Sequence, residues 1–140
     1  MSAEFPFTGN IQATNPASLP LFREWAWDFD KDCFKRDSNG NMILLSGNDA
    51  LQVWVYKAVR TERWAFLAYS DAFGIELEQF RGKVMTVGER RSELRRAIKE
   101  CLMVNPYVVS VDKIEFESNE RGRVLNIRVE LTTVYGSLEI

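Results

Sequence analysis

The side chains able to perform acid–base chemistry in this sequence are carboxylates, because its 140 residues include no histidine. Lack of histidine removes the most common general base, the usual catalytic triads and most zinc sites. Glu62, Asp71, Glu76 and Glu78 share one stretch, and a pair of carboxylates can cleave a glycosidic bond. Nothing in the sequence indicates that any two of them converge, and acids beside arginines usually form ordinary ion pairs. A muramidase is therefore an alternative that ranks below a structural role.

A second acidic pattern resembles the start of a calcium-binding loop. Asp28, Asp30 and Asp32 alternate, but the loop also needs glycine at its sixth position and glutamate at its twelfth. Those positions hold Cys33 and Asn39. The aspartates are better explained as a solvent-facing side of a strand. We expect no metal and no cofactor.

Composition sets the class of protein. Hydrophobic residues make up 46% and charged residues 27% of the chain, which predicts one globular domain. A net charge of -2 gives no reason to expect nucleic acid or an anionic membrane as partner. The N-terminus lacks the basic and apolar regions of a signal peptide, so we expect synthesis in the cytoplasm. Cys33 and Cys101 predict no disulfide framework, and Cys101 lies on an apolar helical face.

The N-terminal part predicts an irregular arm followed by a β-hairpin. Residues 1–22 carry three prolines and little periodicity, so we assign 1–22 to an arm and 23–140 to a single α+β domain. Alternation in "EWAWDFD" places Trp25, Trp27 and Phe29 on one face of a strand. Asn39-Gly40 predicts a tight turn, and "MILL" supplies the returning strand.

Two helices and one shorter helical turn follow. Asn48 or Asp49 can cap the first helix. Its buried face is predicted to hold Leu51, Trp54, Val55 and Ala58. "FGIELEQF" indicates a short helical turn that stops at Gly82. Thr86 and Glu89 have the spacing of a capping box for the last helix, which ends at Asn105-Pro106. The apolar stripe of that helix is Leu94, Ala97, Ile98, Cys101 and Leu102.

The C-terminal part predicts antiparallel strands. A shift in alternation indicates a bulge near Asp112-Lys113, and "SLEI" either extends the last strand or forms a short one. Alternating apolar residues of the second strand are Leu125, Ile127, Val129 and Leu131. The fold class is therefore α+β, with an N-terminal hairpin, two to three helices and a small mixed sheet packed on them. One strand at a sheet edge can accept a strand from another chain, and a free-standing peptide-binding scaffold is a second alternative.

The stretch from Leu51 to Gly82 resembles a signature of the lysozyme-like baseplate wedge family of contractile phage tails. In that family a helix ends in Thr and Glu-Arg, and a connector then leads to Phe-Gly-x-x-Leu. The matching positions are Thr61, Glu62, Arg63, Phe73, Gly74 and Leu77. The second signature, acid-Pro-Arg, corresponds to Asn105, Pro106 and Tyr107, so only the proline is identical. From about Trp25 onward, the chain is similar to the subgroup from PBSX-type defective prophages.

The resemblance implies a structural protein of the virion tail baseplate, present in multiple copies, in a phage or a tailocin. Its implied partners are baseplate wedge proteins, the tail sheath protein, and tail hub or tube proteins. It implies sheath initiation through β-strand contacts and no catalysis. The predicted partner-binding residues are Asn105, Pro106, Tyr107, Leu125, Ile127, Val129, Leu131 and Tyr135. We further expect Glu62 and Arg63 to fix the connector, and Trp64, Phe66 and Tyr69 to pack against the helices.

Overall fold

The N-terminal half contains two small antiparallel strand pairs. The computed structural model describes residues 19–121 and 123–140. The first pair is β1 (Arg23–Trp25) with β4 (Leu44–Ser46), and the second is β2 (Trp27–Asp28) with β3 (Cys33–Phe34). The predicted turn is present, with Gly40 at a φ of 84° and the Asp37 carboxylate accepting the N–H of Asn39 and of Asn41. Residues 1–18 of the predicted arm lie outside the described residues.

The strand predicted over "EWAWDFD" is interrupted at its centre, so that prediction was wrong in its continuity. The N–H of Ala26 donates to the Ile43 carbonyl at 2.8 Å, while the Ala26 carbonyl accepts from the N–H of Lys35 at 2.9 Å. The strand therefore changes partner at this buried alanine. Trp25 and Phe29 are exposed instead of sharing a buried face.

The first helix, α1 (Asn48–Arg60), lies between the hairpin and the rest of the domain. It contacts β1, β4, the second helix and the last strand, β7 (Gly136–Glu139). Gly47 occupies the N-cap position, so neither predicted capping residue caps the helix. The Asn48 side chain instead accepts a hydrogen bond from the Thr133 hydroxyl at 2.6 Å and donates to the Ser137 carbonyl at 3.3 Å. The buried residues of α1 are Ala50, Leu51, Val53, Val55 and Ala58.

The second helix, α2 (Val87–Met103), begins and packs as predicted. The Thr86 hydroxyl accepts the N–H of Glu89, and the Glu89 carboxylate accepts the N–H of Thr86, which completes a capping box. Burial of Ala97, Ile98, Cys101 and Leu102 confirms the apolar stripe. The predicted turn before it is a 3₁₀ turn (Glu78–Phe80).

The C-terminal sheet has three strands in the order β5-β6-β7. These are β5 (Val108–Ser118), β6 (Val124–Thr133) and β7 (Gly136–Glu139). The α+β class is confirmed, but the sheet is antiparallel throughout rather than mixed, because short turns join consecutive strands. The predicted bulge is confirmed by a register shift between Val111 and Lys113. α2 packs on β5, and side chains of both helices and of the sheet form the main core.

Candidate partner-binding surfaces

The connector between the two helices is closed at its base by backbone hydrogen bonds. The N–H of Ile75 donates to the Thr61 carbonyl, and the N–H of Arg63 donates to the Ile75 carbonyl, both at 2.9 Å. The Glu62 carboxylate accepts the N–H of Leu77 and of Glu78, each at 3.0 Å. Glu62 therefore bonds the two chain segments that meet at this base.

Arg63 provides a second closure at the same base. Its guanidinium forms an ion pair with Glu76 at 2.6 Å and donates to the Gly74 carbonyl at 3.2 Å. The Arg63 side chain is only 14% exposed, so solvent screens this pair less than it screens a surface pair. The nearby Cys101 thiol is buried, and burial raises its pKa to about 11, against a smaller opposing effect of the Arg63 charge.

Gly74 occupies the point where the two sides of the connector come closest. Its φ is 106°, and a Cβ there would lie 2.6 Å from the Thr61 carbonyl oxygen. A side chain at this position would therefore strain the backbone and also collide with it. The close approach therefore explains the glycine of the Phe-Gly motif.

The aromatic residues of the connector point outward, contrary to our expectation that they pack on the helices. Trp64 is 66% exposed and Phe66 is 59% exposed. Trp64 has a φ of 64°, in the left-handed region that residues other than glycine rarely adopt. The Tyr69 ring packs on Phe73 at a tilt of 32°, with ring centroids 4.6 Å apart, and Phe73 in turn contacts Trp54 of α1. The connector thus presents apolar surface to the outside.

The corner at residues 105–107 is mostly internal. Asn105 is 5% exposed, and its side-chain oxygen accepts the N–H of Tyr107 at 2.9 Å. Tyr107 is 9% exposed, and its hydroxyl donates to the Pro20 carbonyl at 2.7 Å. Pro106 is exposed. Of the three residues predicted to contact a partner here, Pro106 is the one on the surface.

The residues predicted on the second C-terminal strand divide between core and surface. Val129 and Leu131 are buried in the core, whereas Ile127 is 39% exposed. The backbone of Leu125 lies at a register shift near the start of β6, and its side chain is outside the described structure. Tyr135, in the turn before β7, accepts the N–H of Phe22 on its hydroxyl at 2.8 Å.

Part of β6 has an unpaired edge within the described residues. Val129 and Ile140 exchange both backbone hydrogen bonds, at 2.8 and 2.9 Å, so the backbone of Val129 faces β7. In an antiparallel strand this direction alternates, so the N–H and carbonyl of Ile127 point to the same side. Among the described residues, no strand lies beside 124–128 on that side. An incoming strand can hydrogen bond there.

A cavity of about 570 Å³ adjoins this open edge. Its apolar lining comes from Phe116, Ile127 and Ile140. Arg95 of α2 lies over the Phe116 ring at 5.3 Å, and Arg91 donates to Ser118 at 2.8 Å. Both arginines therefore contact the sheet.

The other edge of the sheet, along β5, is irregular and charged. β5 bulges between Val108 and Ser110 and between Val111 and Lys113. Hydrogen bonds from Ser110 and Thr132 hold the Asp112 carboxylate at the second bulge and lower its pKa, the bond from Thr132 having the larger effect. Bulges and charges are typical of edges that resist strand pairing. The β6 edge is therefore the better acceptor.

Three of the four carboxylates considered for catalysis have structural partners. Glu62 and Glu76 bind groups of the connector, and Glu78 pairs with Arg81 at 3.0 Å. The Asp28 carboxylate accepts the N–H of Lys31 and of Asp30, which lowers its pKa. Within residues 19–121 and 123–140, no three acidic, cysteine or histidine side chains are grouped as metal ligands. No helix of that part of the chain has the length and apolarity to cross a membrane.

Comparison with known proteins shows the family. Residues 23–136 match the contractile injection system sheath initiators, and the chain belongs to that family. The chain is also 31% identical over 98 residues to the phage-like element PBSX protein XkdS of Bacillus subtilis (strain 168), which covers 69% of this chain and 68% of that protein. The predicted role as a structural component of a contractile tail is thereby confirmed.

Sequence reasoning missed several residues of these surfaces. Ile140 and the short β7 define where the open edge begins, and Pro20 and Phe22 attach the N-terminal segment to the corner. Gly136, with a φ of 115°, was a usable signal for a turn into a separate last strand. No sequence signal indicates that Tyr107 binds a carbonyl 87 positions away.

Proposed function

We propose that this protein initiates the contractile sheath by accepting a strand of the sheath protein along the open part of β6. The observation that carries the proposal is the unpaired stretch 124–128, which continues the line of β7 beyond Ile140. Each backbone hydrogen bond formed there contributes about 0.5–1.5 kcal/mol net. The adjoining cavity, lined by Phe116, Ile127 and Ile140 together with charged and polar side chains of β5 and β6, then adds side-chain contacts that distinguish one strand sequence from another.

The predicted partner residues take different roles in this proposal. Ile127 and the backbone near Leu125 contact the incoming strand. Val129 and Leu131 hold β6 against the core, which keeps the acceptor edge in place. A rigid acceptor reduces the ordering cost of association, because only the incoming strand has to become ordered.

A second part of the proposal concerns the position in the particle. We assign the protein to the inner baseplate, as a relative of the lysozyme-like wedge proteins, where it contacts wedge proteins and lies near the hub or tube. The outward-facing Trp64, Phe66 and Leu67 support a wedge contact, because aromatic residues on a rigid base favour burial in an interface. Pro106 lies at a separate exposed corner.

We also propose that the protein performs no catalysis. Glu62 and Glu76, the carboxylates considered for a muramidase, are used to close the connector. Purified protein is expected to leave a cell-wall suspension turbid, as is the Glu62→Gln variant. Clearing by the unmodified protein and not by the variant would contradict this part of the proposal.

The strand-acceptor proposal can be tested by extending the chain after Ile140, so that its own added residues pair with the open edge of β6. A Thr-Val-Thr-Val extension after Ile140 continues the β7 register and lies beside residues 125–128. We expect the extended protein to fold normally but to lose the ability to seed sheath assembly, scored by electron microscopy of sheath protein added to baseplates.

The matched control is a Gly-Ser-Gly-Ser extension of equal length, which has low β propensity. This variant should still seed sheath, since a sheath strand can displace a flexible tail. Equal seeding by both extended proteins, with a thermal melt that shows both are folded, would overturn the proposal.

A further inference from the structure

A small apolar hollow lies where the N-terminal segment joins the domain. Its volume is about 270 Å³. Side chains that line it include Phe22, Trp54, Ala72, Phe73, Val104 and Tyr107. The rings of Trp54 and Phe73 meet edge to face, with centroids 5.9 Å apart. Val104 is exposed at the rim. The hollow therefore offers an aromatic surface that is open in the described part of the chain.

The segment 19–22 is attached at the rim of this hollow. Tyr107 donates its hydroxyl to the Pro20 carbonyl at 2.7 Å, and the N–H of Phe22 donates to the Tyr135 hydroxyl at 2.8 Å. The Phe22 ring packs edge to face on Tyr107, with centroids 4.9 Å apart. These contacts fix the point from which residues 1–18 must start.

The sequence of residues 1–18 suits an aromatic hollow. It contains Phe5-Pro6-Phe7, and its one charged side chain is Glu4. From Phe7 to Leu19 the chain can span up to about 40 Å when extended, so it can turn back to the rim. Gly9-Asn10 and Asn15-Pro16 are residue pairs that favour such turns.

We propose that Phe5-Pro6-Phe7 binds in the hollow of its own chain, against Trp54, Phe73 and Tyr107. Proline next to aromatic residues presents a stiff, extended surface, and aromatic-lined grooves bind such segments. The covalent link raises the effective concentration of the segment to the millimolar range, so weak contacts suffice for occupancy. A partner that needs this corner must displace the segment first.

This inference is independent of the sheath contact. The hollow adjoins the end of the β5–β6 pair at Thr133, whereas the acceptor edge includes Ile127. Six positions along a strand correspond to roughly 20 Å. Loss of one contact therefore leaves the other intact.

Disulfide trapping in the full chain tests the docking. Cys33→Ser removes the exposed native thiol, and Cys101 is buried and unreactive. In that background, Thr8→Cys is combined with Val104→Cys at the rim. The control combines Thr8→Cys with Val84→Cys, a fully exposed valine beyond the other end of α2, roughly 30 Å away. We expect the 8–104 disulfide to form at least about tenfold faster than the 8–84 disulfide, because docking raises local concentration selectively.

The contribution of the two phenylalanine rings is tested by adding Phe5→Ala and Phe7→Ala to the trapping variant. These substitutions should reduce the rate of 8–104 disulfide formation to that of the 8–84 control. If Val104→Cys impairs folding, Ala72→Cys provides a second exposed position on the rim. Equal rates for rim and control, or no effect of removing both rings, would overturn the proposal. A disulfide-linked dimer in place of a cross-linked monomer would assign the hollow to a second copy and would also overturn it.

Discussion

At the residue scale, Gly74 decides whether the connector can close. We expect Gly74→Ala to lower the free energy of unfolding by about 2–4 kcal/mol, because it combines a disfavoured φ with a backbone collision. Gly82→Ala is the matched control, since Gly82 has a φ of 75° but open space around it. That control should lose about 1–2 kcal/mol. Urea denaturation measures both, and equal losses would show that the close approach to Thr61 does not matter.

At the scale of elements, α2 depends on the capping box at its start. Thr86→Ala should cost about 1 kcal/mol in urea denaturation at neutral pH, whereas Thr86→Ser should retain the cap. Bonds from the N–H and hydroxyl of Thr86 lower the pKa of Glu89 below its usual value of 4.5. A lowered carboxyl pKa stabilises the fold above the unfolded pKa, and this contribution is lost as pH falls through the folded pKa.

The lowered pKa of Glu89 also predicts how the stability of the Glu89→Gln variant depends on pH. The stability difference from the unmodified protein should be present at pH 7 and shrink as pH falls below the unfolded pKa of about 4.5 and then through the lower folded pKa, until the carboxylate is protonated in both states. A difference that is constant across this range would mean that the charge of Glu89 has no part in the cap.

At the scale of the whole molecule, α1 couples the N-terminal hairpin to the C-terminal sheet. It packs against β1 and β4, and Asn48 at its start binds Thr133 and Ser137. We therefore expect a chain starting at Leu19 to unfold as one unit. Thermal melts followed by near-UV and far-UV circular dichroism should coincide. Separate transitions would contradict the single domain predicted for residues 23–140.

The elements predicted correctly were those with strong local signals. The α2 stripe, its capping box and the bulge near Asp112 each depend on residues close together in the chain. The connector was harder to predict. The sequence indicated that Glu62 and Arg63 anchor the connector. It did not indicate where the aromatic side chains of the connector lie, because an aromatic residue is equally compatible with a core or with an interface. Only the tertiary structure shows that the rings of Trp64 and Phe66 face outward.

The sequence by itself determined the α+β class, the two helices and the tail family, because periodicity and capping are local and the family signatures are short stretches of residue types. Tertiary structure alone decided where β6 is unpaired, that Glu76 is the acid that pairs with Arg63, and where the N-terminal segment attaches. Each of these depends on residues far apart in the chain, such as Val129 with Ile140 or Tyr107 with Pro20. Pairing between distant segments is set by the packing of the whole core, and no local pattern specifies it.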